Sequence, residues 1–248
     1  FMNAEDALRQ PLPRLFTGKP IAETVGRAPP IKRRFHGNLG HWDHFEKLAS
    51  EFFVKAETTS ALKRCNRVPI SVAPNIKELN SNTHMVREKV QVGAEITLSG
   101  RFFANALATV IDIVETLASD DHGDGCADPE FLPRRFSFGD SWIIDQKHRV
   151  QGHEPDVILK LPSASGHRVR LVGELKFCVT VNLSDMVNEV KGPEEQTSTF
   201  RDILGQIVDY MCARRLKYGF LSNYEQTVFL KVDQGSDDNP CLYFSDVI

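Results

Sequence analysis

The chain has 248 residues, of which 41% are hydrophobic and 25% charged, so it is long and apolar enough to bury a sizeable core. Its formal net charge of −3 excludes a surface coated throughout in positive charge. No run of about 18 apolar residues is present, and residues 1–12 lack the basic-then-apolar pattern of a secretory signal, so neither a membrane partner nor export is indicated. The five cysteines (Cys65, Cys126, Cys178, Cys212 and Cys241) are odd in number and form no C-x-x-C pair. That spacing suggests neither a zinc site nor a disulfide framework, and points to a reducing intracellular compartment, nucleus or cytoplasm.

The first 35 residues read as an arm: Pro11, Pro13, Pro20, Pro29 and Pro30 break any helix, and Lys32, Arg33 and Arg34 form a basic knot. From Trp42 to Leu62, Phe45, Leu48, Ala49, Phe52, Phe53 and Ala56 recur at helical spacing and predict one amphipathic helix. Residues 65–80 look irregular, with Pro69 and Pro74 as punctuation. A long helical stretch is predicted from Thr83 to Leu117, bent or divided at Gly93 and Gly100, and a polar loop follows at 119–125. Strands are then expected at 135–144, 154–161 and 168–181, the last two joined by a turn at 162–166. A helix from Glu194 to Lys217 carries Phe200, Ile203, Leu204, Ile207, Val208 and Met211 as its buried stripe. Strands at 218–221, 226–232 and 241–247 complete the pattern, and the last of them runs almost to Ile248, which leaves a continuation of the chain open. This order predicts an α/β fold, a mixed central sheet flanked by helices. An N-terminal extension (1–80, helical and irregular) would precede the main domain (81–248).

One constellation within that frame carries chemistry. Pro155-Asp156 opens one strand, and Glu174-Leu175-Lys176 lies on the next. Side chains at i and i+2 of a strand share a face, so Glu174 and Lys176 point together while Leu175 faces the other way. If the two strands pair through the 162–166 turn, Asp156 can lie beside Glu174. Two carboxylates and an ammonium at one edge of an apolar sheet are costly unless something offsets their charge. A divalent cation would do so: Mg²⁺ (or Mn²⁺) favours carboxylate oxygens, keeps several waters, and can activate one of them against phosphorus.

Pro155-Asp156 followed by Glu174-x-Lys176 resembles the signature of the PD-(D/E)XK nuclease superfamily. Gln206-Ile207-Val208-Asp209-Tyr210 adds a Q-x-x-x-Y pattern, similar to the RecB-like branch. The resemblance covers residues 82–248 and implies a restriction-endonuclease-like core. It also implies that Gln206 and Tyr210 sit over the active site and help to orient the catalytic lysine and the phosphate. The superfamily further places a metal-binding glutamate on the helix before the first strand. Glu88 and Glu95 are candidates, seven residues apart, and Glu88 is preferred because Val90, Ala94 and Leu98 continue the helix below it. The strand pair near the C-terminus is similar to nuclease-like domains of fungal proteins, some of them in spore-killing elements.

The expectation is therefore a metal-dependent nuclease, a hydrolase acting on DNA and to some extent RNA. Asp156, Glu174 and Glu88 would hold the metal, Lys176 would position the water, and Gln206 and Tyr210 would support it. The alternative is a catalytically inactive nuclease-like binding or scaffolding module. The N-terminal region is a candidate for homodimerisation or for a protein partner under either reading. His36, His41 and His44, and the acidic loop at 120–124, are set aside as solvated polar segments.

Overall fold

The computed structural model describes residues 8, 12–17, 34–55, 58–60, 62, 87–119, 136–144, 154–163, 166–191, 199–234 and 240–248. Its centre is a seven-stranded mixed sheet. The strands are β2 (Asn38–His41), β4 (Ser137–Gly139), β5 (Val157–Ser163), β6 (Gly166–Leu175), β7 (Tyr218–Ser222), β8 (Thr227–Gln234) and β9 (Pro240–Phe244), arranged in the order β2-β9-β8-β7-β6-β5-β4. Pairs β6–β7 and β2–β9 are parallel and the others antiparallel. Short strands β1 (Arg14–Phe16) and β3 (Arg87–Gln91) form a separate parallel pair. The helices are α1 (Phe45–Val54), α2 (Glu95–Phe102), α3 (Ala108–Ser119), α4 (Leu183–Lys191) and α5 (Thr199–Arg214), with a π-helical turn at Phe103–Leu107 joining α2 to α3. The α/β class with a mixed sheet flanked by helices is therefore as expected. No helix among the described residues is long and apolar enough to cross a membrane.

The sheet buries a core on each face. On one side Ile158, Val172, Leu221 and Leu230 pack against α4 and α5, whose inward stripe is Met186, Val187, Phe200, Ile203, Leu204 and Ile207. On the other, Val157, Leu175 and Phe220 pack against Leu98, Phe102 and Leu107. Each fully buried side chain of this size contributes about 1.5–3 kcal/mol, so α5 is clamped firmly over the middle of the sheet. Gly173 permits a close approach on the opposite face: a Cβ there would lie 2.2 Å from the Phe220 ring, which rests on β6 beside Glu174.

Several expected elements are corrected. The helix predicted from Thr83 starts only at Glu95, because Arg87–Gln91 is strand β3, paired with residues from far upstream. Of the helix predicted over 42–62, Phe45–Val54 forms α1, with Leu48, Phe52, Phe53 and Val54 exposed, and residues 58–60 and 62 are helical again after a bend at Lys55. The strand expected over 135–144 contracts to Ser137–Gly139, since Asp140 caps a 3₁₀ turn at Ser141–Ile143. Helix α4 was not anticipated. Asn182 caps it, its Oδ1 accepting from the N–H groups of Ser184 (3.1 Å) and Asp185 (3.3 Å). The strand expected over 168–181 ends at Leu175, and of the helix expected over 194–217 the described part is α5, Thr199–Arg214. On the N-terminal side of the boundary expected near residue 80, β2 hydrogen-bonds along β9 and so belongs to the main sheet. Buried Arg201 donates to the carbonyls of Phe35 and Gly37, tying the segment before β2 to α5. Residues 65–80 and 120–125 lie outside the described residues.

Candidate active site at the end of the central strands

Strands β5 and β6 pair in the register Val157–Gly173, Ile158–Val172. One step beyond Val157 and Gly173, this register sets Asp156 abreast of Glu174. The backbone closes the pair: Asp156 Oδ2 accepts the N–H of Leu175 at 2.8 Å. As the alternation of β6 requires, Val172 and Glu174 share the α5 face, whereas Leu175 enters the opposite core. Lys176 lies just past the end of β6, where its N–H donates to the Ser222 carbonyl of β7 at 2.9 Å.

A chain of side-chain contacts runs from this point up into α5. Lys176 Nζ donates to Glu174 Oε1 at 2.5 Å and makes a longer contact, 3.4 Å, to Gln206 Oε1. Gln206 Nε2 donates to the Tyr210 hydroxyl at 2.8 Å, and that hydroxyl donates to the Glu154 carbonyl at 3.3 Å. Gln206 and Tyr210 are one helical turn apart and face the same way. The structure thus brings together Asp156, Glu174, Lys176, Gln206 and Tyr210. It does not bring Glu88 to a helix: that residue sits in β3. Glu95, in the first turn of α2, is instead the carboxylate that feels the charges of Asp156 and Lys176, and it accepts from the Phe177 N–H. The first turn of a helix also favours a carboxylate, because its unpaired N–H groups carry partial positive charge.

Charge at this centre is out of balance. Glu174 is 2% exposed, and its Oε2 has no hydrogen-bond partner among the described residues. Burial, reinforced by the neighbouring Asp156 carboxylate, pushes Glu174 up to about 8 despite the pull of Lys176. Burial also raises Asp156, against its bond from Leu175. Glu95 is raised too, by desolvation of its carboxyl end, although much of the residue is exposed. Three carboxylates facing one ammonium are all pushed toward the protonated form, and a bound cation would relieve the same imbalance.

Among the described residues, no group of three or more His, Cys, Asp or Glu side chains is gathered to hold a metal ion unaided. The donors present fit a different arrangement, a hard divalent ion taken by one or two carboxylates with water filling its other positions. The buried, partnerless Oε2 of Glu174 is the atom that such an ion would satisfy. His41, set aside above, is accounted for by Asp43 (2.6 Å) and Asp246 (3.1 Å) at the far edge strand. Compared with protein-family models, curated proteins and solved structures, the chain matches nothing in any of the three.

Proposed function

We propose that the chain is a divalent-metal-dependent nuclease hydrolysing phosphodiester bonds, with DNA as its first substrate and RNA as a second, built on a restriction-endonuclease-like PD-(D/E)XK core. The observation that carries this reading is the linked set Asp156, Glu174, Lys176, Gln206 and Tyr210, with its surplus of negative charge and one unpartnered buried carboxylate oxygen. The order helix, β4, β5, β6, α4, α5, β7, with β6 and β7 parallel, supports the same core.

The divalent ion would be Mg²⁺ or Mn²⁺, supplying Lewis-acid stabilisation of phosphate charge and a more acidic water. Asp156 and Glu174 would hold it, with Glu95 at the helix end as the third acidic group in place of Glu88. Lys176 presents a buried ammonium beside those carboxylates, a donor able to orient a water or a phosphate oxygen. Gln206 fixes the lysine's reach, and Tyr210 fixes Gln206. Hydrolysis breaks one P–O bond, with water supplying the hydroxyl of the new phosphate end and the proton of the leaving alcohol.

One contact favours a rival. Lys176 is closed onto Glu174 at 2.5 Å, as in a nuclease-like module that keeps the lysine only as a counter-ion. Cleavage of linear, circular and single-stranded DNA in Mg²⁺, Mn²⁺ or EDTA separates the two. The proposal expects cutting in either metal and none in EDTA. Folded protein that cuts nothing, and whose melting temperature does not rise with metal, would establish the binding module instead.

A further inference from the structure

The two tryptophans differ in exposure. Trp42 is boxed in: Lys231 Nζ is 5.1 Å from its ring centroid, Tyr218 stacks at 6.2 Å and Phe45 meets it edge-on at 4.8 Å. Trp142 is 68% exposed. Its exposure is not the result of a loose segment, because the 3₁₀ turn that carries it is pinned on both sides. Asp140 Oδ1 accepts the Trp142 N–H at 2.9 Å, Lys160 Nζ donates to the Ile143 carbonyl at 3.2 Å, and Ser141 and Ile144 are buried. A held turn thus presents one large aromatic face to solvent and places an ammonium at its base.

Its position gives that face a purpose. Gly139 pairs with Ile158, two residues along β5 from Asp156, and the chain leaves the sheet toward the Asp156 end. At strand spacing, Trp142 stands on the order of 10 Å from Asp156, within reach of a nucleotide next to the reacting phosphate. Aromatic side chains stack on nucleobases of any identity, provided the base is not already stacked inside a duplex. The neighbouring Lys160 offers the positive charge that a phosphate backbone seeks.

We propose that Trp142 is a base-stacking platform beside the Asp156–Glu174 centre, and that the substrate there is single-stranded nucleic acid or a splayed end carrying an unpaired base. This rests on the nuclease reading for its chemistry, but its binding test does not. The test uses the full chain, Mn²⁺, and a hydrolysis-resistant phosphorothioate strand beside its blunt duplex. The single strand should bind more tightly than the duplex and quench tryptophan fluorescence. Trp142→Ala should weaken single-strand binding about tenfold and leave duplex binding within about twofold. Trp142→Phe should retain most of the affinity but lose the quench, and both variants should melt as the parent does, since the site is a surface one. Single-strand binding by Trp142→Ala equal to that of the parent would overturn the assignment, as would no binding by the parent. Binding as described without any cleavage would sink the nuclease reading alone. Metal-dependent cutting of single strands by Trp142→Ala at the parental rate would sink the stacking role alone.

Discussion

Two polar clusters, each buried at least in part, adjoin one another just past the ends of β6 and β7, and they are built on opposite principles. In the β7–β8 hairpin, Gln226 Oε1 accepts from the Leu183 N–H (2.7 Å) and from Asn223 Nδ2 (3.2 Å), while its Nε2 donates to Asn182 Oδ1 (3.2 Å) and Ser184 Oγ (2.8 Å). Asn223 in turn donates to the Val181 carbonyl and accepts the Gln226 N–H. Every member is neutral and matched, and the network holds the turn after Lys176 against the sheet. The neighbouring acidic cluster has more carboxylates than cations and an oxygen without a donor. Satisfied neutral polarity stabilises a fold, whereas unsatisfied charge costs stability and is kept where a ligand completes it. The contrast is why the proposed function is placed on the acidic cluster rather than on the richer hydrogen-bond network.

The sharpest way to break this contrast is Asp156→Asn. The amide still accepts from the Leu175 N–H, so the fold should persist, but a charge needed to hold a metal is gone. Cleavage should fall by about 10²–10³-fold or more, judged against losses seen when one stabilising group is removed from an active site. Single-turnover assays read it, and parental activity in this variant would remove Asp156 from the site.

Protons should report the imbalance next. Glu174 is raised from its ordinary 4.5 to about 8, so the folded chain retains a proton that the unfolded chain gives up. Its contribution to metal-free stability is therefore full below about pH 4.5 and declines as pH rises toward 8, by a few kcal/mol. Melting curves in EDTA between pH 5 and 8 should show this slope in the parent and a flatter one in Glu174→Gln. Mn²⁺ at pH 8 should restore the parent by taking the proton's place. A slope identical in both proteins would assign it to other groups.

The hairpin network should respond in stability instead. Gln226→Ala strands the Leu183 N–H and the partners on Asn182, Ser184 and Asn223, costing about 2 kcal/mol. For a chain of this length that is a fall of roughly 4–8 °C in melting temperature, readable by calorimetry. Smaller still, Tyr210→Phe deletes the hydroxyl that steadies Gln206 and should slow cleavage about tenfold, with melting changed by no more than about 1 kcal/mol. Burial pushes the Tyr210 hydroxyl up to about 12, so it should act as a neutral hydrogen-bonding group and add no step to the pH profile near neutrality.

Much of the candidate site was legible because it is local. Strand alternation put Glu174 beside Lys176 and the i, i+4 spacing put Gln206 and Tyr210 on one face of α5, whereas the β5–β6 ladder runs out to Ser163–Gly166 and shifts by one residue between Leu159 and Lys160, and that shift sets Asp156 abreast of Glu174. What escaped was decided by long-range pairing. Arg87–Gln91 has no strong strand signal of its own and becomes a strand against residues near position 14. That shift moved the helix start to Glu95 and put Glu88 on a strand instead of the helix. Strand β2 likewise owes its place to β9, some 200 residues later in the chain. Helix α4, by contrast, was readable: Asn182 is an N-cap, and Leu183, Met186, Val187 and Val190 follow at helical spacing. Extending the preceding strand through Val181 concealed it.

The measurement that tests the central claim most directly is single-turnover cleavage of a labelled DNA strand in Mn²⁺ by the parent, Lys176→Ala and Gln226→Ala, each well below its melting temperature. The account predicts metal-dependent cutting by the parent and by the less stable Gln226→Ala, and none by a folded Lys176→Ala. Cutting by Lys176→Ala at the parental rate would contradict it.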